Sequence, residues 1–341
     1  MAVTMKQIAE ACGVSRGTVD RVLNNRGRVR EEIADRVREK AKELGYRPNT
    51  AGKALAARKK NYVIGVILTS EGVEFFEEVL NGIQKGQEEI ADYGITLLVR
   101  SMKGYHVEKQ LALMEEMKAS VQLLILNGIN DERIAEKIQE YMRNGLPVIT
   151  INADVENSGR LCYVGCDFNS SGRTAGGMLG LLCGGDAVVG IATGTVKVLG
   201  HNQRITGFSS LCKTRYPKIK IEDIIETNDD DETGYEQTCL MLKRCPELTA
   251  IYIVAAGAAG VCRAVEESQR AGSILVVASD NTNSVREWMR KGIIKAAVCQ
   301  NPFGQGYHAV QMAAGYLVQN LVPASDYIVK NEIRILENID E

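Results

Sequence analysis

Residues 3–60 read VTMKQIAEACGVSRGTVDRVLNNRGRVREEIADRVREKAKELGYRPNTAGKALAARKK, and this stretch decides how the chain is organised. Thr4 is an N-cap candidate for Met5 to Cys12, where apolar residues fall at helical spacing, and Gly13 stops the run. Ser15 can cap a second short helix reaching Asn24. Its Val19, Val22 and Leu23 would face the first helix, leaving Arg16, Gly17, Asp20 and Arg21 outward. A third helix is expected from Arg30 to Leu44, with Ile33, Val37, Ala41 and Leu44 on one face and Gly45 closing it. Three such helices make a minimal all-α, helix-turn-helix core.

Charge separates this segment from the rest of the chain. The first 60 residues hold 15 Lys/Arg against 7 Asp/Glu, and the remainder holds 26 against 36, so a basic module precedes a larger acidic one. A positive patch of this kind is the electrostatic footprint of nucleic-acid binding. With 341 residues, 45% of them hydrophobic, the chain can bury more than one core. No run approaches the roughly 18 apolar residues of a membrane span. The N-terminus lacks the basic and apolar stretches of a secretory signal, so a cytoplasmic protein with no membrane partner is expected. Nine cysteines stand without paired CxxC spacing and three histidines lie far apart, so neither metal nor cofactor is expected.

After Tyr46-Arg47-Pro48, the basic, Ala-rich stretch Asn49 to Ala57 has too little apolar surface to fold alone. From Tyr62 onward, short β-branched runs alternate with amphipathic stretches, the pattern of parallel sheets with crossover helices. Strands are predicted at 63–68, 95–99, 123–126, 148–152, 187–192, 251–255 and 274–279, and helices at 75–92, 131–144 and 259–271. A break near 157–169 points to two α/β lobes in succession, with a ligand cleft between them. The expected units are a headpiece at 1–47, a hinge helix and linker at 48–61, and a two-lobed region at 62–341.

Along its whole length, 3–60 resembles the headpiece of the lactose-repressor and galactose-repressor family. The resemblance rests on Val-Thr, Ile-Ala, Gly-Val-Ser, Thr-Val, Arg-Val-Leu-Asn and Gly-Tyr-x-Pro-Asn in the family's order. It implies a recognition helix in the major groove, with Arg16, Gly17 and Arg21 reading base edges. Thr4, Ser15, Thr18, Asn24 and Asn49 match backbone-contacting positions, and Leu55 matches the leucine that wedges into the minor groove beside its dimer mate. A homodimer on a pseudo-palindromic operator is implied by that match. Asp20 departs from the small hydroxyl usual there, and Gly52 from the usual alanine, which disfavours the hinge helix.

The remainder resembles the ribose-type periplasmic sugar-binding fold, which is two-lobed, type I-like and built on doubly wound parallel sheets. The resemblance carries over Phe75, Phe76, Asn152, Arg204, Asp280 and Gln300 as ligand contacts, with Asp154, Asp167 and Asn281 as auxiliary candidates. Aromatic faces and charged or amide groups suit a polyol. The family's polar pair is absent at Ala255-Ala256-Gly257, which removes a hydrogen-bonding partner. Each contact has a plainer alternative: Phe75 and Phe76 as core, Asp280 as a helix cap, Arg204 as a surface partner. The combined expectation is a sequence-specific DNA-binding transcription regulator, a repressor, controlled by a sugar-like effector. No nucleophile and base, phosphate loop or metal motif supports an enzyme, and a constitutive DNA binder would not need so large a receptor.

Overall fold

The computed structural model describes residues 3–23, 27, 29–46, 57–69, 71–196 and 198–340. Asn24, Asn49, Gly52 and Leu55 therefore lie outside the described residues.

The headpiece contains α1 (Met5–Cys12), α2 (Arg16–Leu23) and α3 (Glu31–Glu43). Thr4 and Gln7 form a reciprocal capping box: Gln7 N–H donates to Thr4 Oγ1 at 3.4 Å, and Thr4 N–H donates to Gln7 Oε1 at 2.8 Å. Gly13 ends α1 at φ 61°, a left-handed conformation that a side chain would resist. Ser15 Oγ accepts from Thr18 N–H at 3.1 Å and starts α2. Ile8, Val19 and Val37 are fully buried between the helices, with Ala34 and Ala41 beside them. Leu44 departs from expectation at 37% exposed, because α3 has ended before it and Ala34 takes the inward position.

Beyond Val63 the chain builds two similar lobes. The first contributes β1 (Val63–Leu68), β2 (Thr96–Ser101), β3 (Leu123–Leu126), β4 (Val148–Ile151) and β5 (Cys162–Cys166), with α4 (Phe75–Ile90), α5 (Val107–Lys118) and α6 (Glu132–Arg143). The second contributes β6 (Asp186–Thr193), β7 (Lys218–Glu226), β8 (Ala250–Ile253), β9 (Leu275–Ser279) and β10 (Ile294–Cys299). Its helices are α7 (Phe168–Leu182), α8 (Leu199–Arg215), α9 (Asp231–Arg244), α10 (Ala258–Glu267) and α11 (Asn283–Arg290). The last elements are α12 (Pro302–Gln319), β11 (Tyr327–Val329) and β12 (Glu332–Arg334).

The sheet orders are β11-β5-β4-β3-β1-β2 and β12-β10-β9-β8-β6-β7, parallel apart from the β10–β12 pair. Both adopt the doubly wound plan, in which ligands gather at the carboxyl ends of the strands. The lobes are interleaved and do not simply succeed one another. The chain crosses after β5, returns after β10 so that α12 and β11 complete the first lobe, and crosses again into β12. Ala309, Val310 and Ala313 of α12 are fully buried against the β1–β5 core and the α4 residues Val79 and Ile83.

Helix pairs meet backbone to backbone at glycines. A Cβ on Gly82 would lie 2.0 Å from Phe303 O and one on Gly306 2.1 Å from Val79 O, fixing α4 against α12. Likewise a Cβ on Gly172 would lie 1.9 Å from Arg204 O and one on Gly207 2.1 Å from Asn169 O, fixing α7 against α8. The second crossing sets where the Arg204 backbone stands.

Candidate functional site

On the headpiece, Arg16, Gly17 and Arg21 are all exposed on one side of α2, opposite the buried Val19 and Val22. Thr4 and Ser15 are also exposed, while Thr18 is half-buried with its hydroxyl 3.0 Å from Ser15 Oγ. Two guanidinium forks next to a glycine leave room for a base edge to approach.

A cavity of about 160 Å³ lies between the lobes, and Phe75, Phe76, Asn152, Arg204, Asp280 and Gln300 all line it. Strand order explains the convergence. β4 and β9 occupy the same place in their sheets, and Asn152 and Asp280 stand just past their ends with φ of 60° and 66°. Left-handed backbone is uncommon for residues other than glycine, so each strand end turns its polar side chain at some conformational cost.

Asp280 and Arg204 are almost completely buried, at 7% and 2% exposed, with Arg204 Nη2 3.5 Å from Asp280 Oδ2. Arg204 Nη1 donates to Val254 O at 2.6 Å, and the guanidinium lies 5.1 Å from the Phe168 ring centre. Gln300 Nε2 donates to Asp280 Oδ2 at 3.0 Å. Asp280 Oδ1 and Arg204 Nε and Nη2 are buried without a hydrogen-bond partner. Burial pushes the Asp280 carboxyl above its ordinary pKa, against the pull of Arg204 and Gln300. For Arg204 burial acts downward, but Asp280, Tyr252 and Cys166 more than offset it, so the guanidinium is held charged. Unsatisfied buried groups of both polarities are costly unless a further molecule meets them.

The plainer alternatives resolve individually. Phe76 is buried in the first-lobe core and also lines the cleft, and Phe75 packs beside it with ring centres 5.3 Å apart. Arg204 is internal, not a surface partner. The cap of α11 is Thr282 itself, helped by Glu74, which accepts from the N–H groups of Asn283 and Ser284 across the cleft.

The auxiliary candidates fall elsewhere. Asp154 is bound up with Arg160, which also holds Asp326, and Asp167 caps α7 by accepting from Ser170 N–H at 2.8 Å. Asn281 donates to Ile339 O at 2.9 Å and lines an adjoining crevice that shares Glu74, Phe75, Asp280 and Thr282 with the cavity.

Sequence reasoning missed Tyr105, Phe168, His201 and Asp229, all of which line the cavity. Tyr105 Oη donates to Asp229 Oδ2 at 2.9 Å, linking the lobes, and Ala256 N–H donates to Asp229 Oδ1 at 3.2 Å. A polar group thus reaches the Ala255-Ala256-Gly257 wall from another loop. Asp229 lies just beyond β7, a strand absent from the sequence-based expectations; predicting that strand would have exposed it. His201 is enclosed with Nδ1 3.1 Å from Thr195 O, and burial lowers its pKa, only partly opposed by Asp229. Among the described residues, no cluster of His, Cys, Asp and Glu is arranged to hold a metal, and no helix is long and apolar enough to cross a membrane.

Comparison with known proteins agrees with this two-part architecture. Residues 4–49 match the bacterial regulatory proteins of the lacI family, and residues 64–320 match the periplasmic binding protein domain. Catabolite control protein A of Priestia megaterium is 25% identical over 256 residues, covering 74% of each chain. The HTH-type transcriptional repressor PurR of Edwardsiella ictaluri is 26% identical over 291 residues, covering 83% of this chain and 82% of its own. Among solved structures, GanP, a glucose-galactose binding protein from Geobacillus stearothermophilus, superposes with a TM-score of 0.76 at 25% identity, covering 82% of this chain and 99% of its own. Residues 64–320 place the chain in the periplasmic binding protein domain family, and it carries at residues 4–49 a helix-turn-helix domain of the lacI family of bacterial regulatory proteins.

Proposed function

We propose that this protein is a cytoplasmic repressor that binds a pseudo-palindromic operator as a homodimer and changes operator affinity when a small sugar or polyol occupies the interlobe cleft. One observation carries the ligand half: Asp280 Oδ1 and Arg204 Nε are buried at the cavity with no hydrogen-bond partner, and Arg204 Nη2 has only its 3.5 Å ion-pair contact with Asp280 Oδ2. A hydroxyl can both donate to such a carboxylate and accept from such a guanidinium, and an aromatic wall of Phe75, Phe76 and Phe168 suits the faces of a ring.

On the DNA side, Arg16 and Arg21 present paired donors to guanine edges, with Gly17 between them admitting the base. Thr4, Ser15, Thr18, Asn24 and Asn49 hold phosphates, and Leu55 of each subunit wedges the minor groove. The dimer reading is supported by the matching edges of the two sheets. β2 and β7 end their sheets in equivalent places, and Val99, Ile224 and Leu240 on that side are 36%, 46% and 46% exposed. Binding chromosomal DNA requires residence in the cytoplasm. Coupling results if a ligand stabilises one relative setting of the lobes and that setting favours one arrangement of the paired headpieces.

The test is a thermal-shift screen of monosaccharides and polyols on the full chain, then operator titration with and without each hit. A stabilising compound that changes operator affinity supports the reading. A stabilising compound with no effect on DNA binding would overturn the regulatory half.

A further inference from the structure

We infer that the interlobe cleft sorts ligands by charge: it accepts a polyhydroxylated ring that is neutral or bears an ammonium, and rejects the same ring bearing phosphate or carboxylate. This rests on the ligand role proposed for the cleft and adds the chemical class.

Four carboxylates line the cavity, Glu74, Asp229, Asp231 and Asp280, against one guanidinium, Arg204, among the described residues. The Arg204 charge is already committed to Asp280, 3.5 Å away. The other three carboxylates are met by uncharged donors. Asp229 takes the Tyr105 hydroxyl and Ala256 N–H, Asp231 Oδ1 takes Gly260 N–H at 3.3 Å, and Glu74 takes the N–H groups opening α11. A helix N-terminus offsets only about half a unit charge. The cleft therefore holds uncompensated negative charge around a built polar centre, where Arg204 at 2% and Asp280 at 7% exposure leave atoms unpartnered.

An entering phosphate or carboxylate would have to displace Asp280 from the guanidinium while facing the other carboxylates of the cavity lining. Around the buried Asp280 that repulsion is screened less than at an open surface. A hydroxyl meets no such penalty, and an ammonium placed near Glu74, Asp229 or Asp231 is attracted.

The test is calorimetric titration of the full-length protein with matched sets built on glucose, galactose and mannose: the parent sugar, its 2-amino derivative, its 6-phosphate and its uronate. In at least one set the parent should bind, the amine at least as tightly, and the phosphate and uronate about tenfold or more weaker. The double variant Asp229→Asn/Asp231→Asn should narrow the ratio between parent and anion affinities, with a melting transition like that of the wild type reporting an intact fold. A phosphate or uronate that binds as tightly as its parent overturns charge selection while leaving the ligand site standing. An unnarrowed gap in the variant overturns its assignment to these carboxylates. Silence in all three sets overturns the sugar-type ligand reading, and this inference with it.

Discussion

Gln300 Nε2 donates to Asp280 Oδ2 at 3.0 Å while Gln300 Oε1 accepts from Asn152 Nδ2 at 3.4 Å, so a single amide joins the matching strand ends of the two lobes. The same Oε1 accepts from Cys166 Sγ at 3.2 Å, and burial pushes that thiol up to about 12, keeping it a donor. Gln300 and Cys166 flank two of the crossings between lobes. Gln300→Leu should lower unfolding free energy by about 1–3 kcal/mol, because buried partners on both lobes lose their hydrogen bonds. Urea unfolding measures this, and an unchanged midpoint would deny the amide a joining role.

Arg204 and Asp280, carried over from sequence as ligand contacts, also bear on the fold through their mutual burial. Arg204→Ala leaves Asp280 buried beside no cation, a change worth about 3–5 kcal/mol in unfolding free energy. Replacing both, as Arg204→Met/Asp280→Asn, which keeps a side chain that tolerates the left-handed backbone at 280, should recover most of that loss and still abolish ligand binding. Melting curves and calorimetry of the single and double variants decide it; a double variant as unstable as the single would show that packing, not charge, is at stake.

His201 sets a pH dependence. Burial holds its pKa below the usual value near 6.5, so the unfolded chain takes up this proton first as pH falls. The stability tied to the neutral ring is fully present above about 6.5 and is lost as pH drops from there through the depressed folded value. Between pH 7.5 and 5.5, wild type should lose more thermal stability than His201→Gln. Equal losses would mean that other groups set the acid limb.

Arg21→Ala should cost about 1–3 kcal/mol against the best operator and relax preference at one base pair per half-site, as expected for a bidentate guanine contact. Selection from a randomised DNA pool provides the readout. An unchanged consensus would move base reading away from Arg21.

The α7–α8 crossing makes a local prediction with its own control. Gly172→Ala would put a methyl 1.9 Å from Arg204 O, forcing the helices apart and costing about 1–3 kcal/mol while weakening ligand binding. Gly177 lies on the same helix, where a Cβ would meet only Leu211 Cδ2 at 3.6 Å. Gly177→Ala should be tolerated or mildly stabilising. Similar behaviour of the two variants, measured by melting and titration, would contradict the close-contact account.

Much of this was legible in the residues because the signals are local. Thr4 and Gly13 bracket α1 as expected, and the runs 63–68 and 123–126 are strands with those bounds. β7 was not legible: its sequence, KIKIEDIIE, alternates charge with isoleucine on a sheet edge, and a strongly charged run does not read as a core strand. β5, CYVGC, was hidden inside an expected break. Of the six transferred cleft residues, Asn152, Asp280 and Gln300 follow strand ends and Phe75, Phe76 and Arg204 lie in helices, so position in the fold determines what each side chain faces. Asp229 and Tyr105 meet across 124 positions of sequence, a pairing that no local pattern encodes. The return of α12 to the first lobe is likewise a long-range event, since an amphipathic helix does not specify which sheet it will cover.

That return has a consequence for how the protein comes to be made. When a ribosome has delivered β1 to β5, the first lobe still lacks Ala309, Val310 and Ala313, which fill its core from α12. It must wait, with apolar surface uncovered, until the whole second lobe has been synthesised. Long-range closure of this kind slows folding and prolongs exposure to aggregation. The nascent first lobe is thus a natural client for chaperones, and neither lobe corresponds to one uninterrupted stretch of the message.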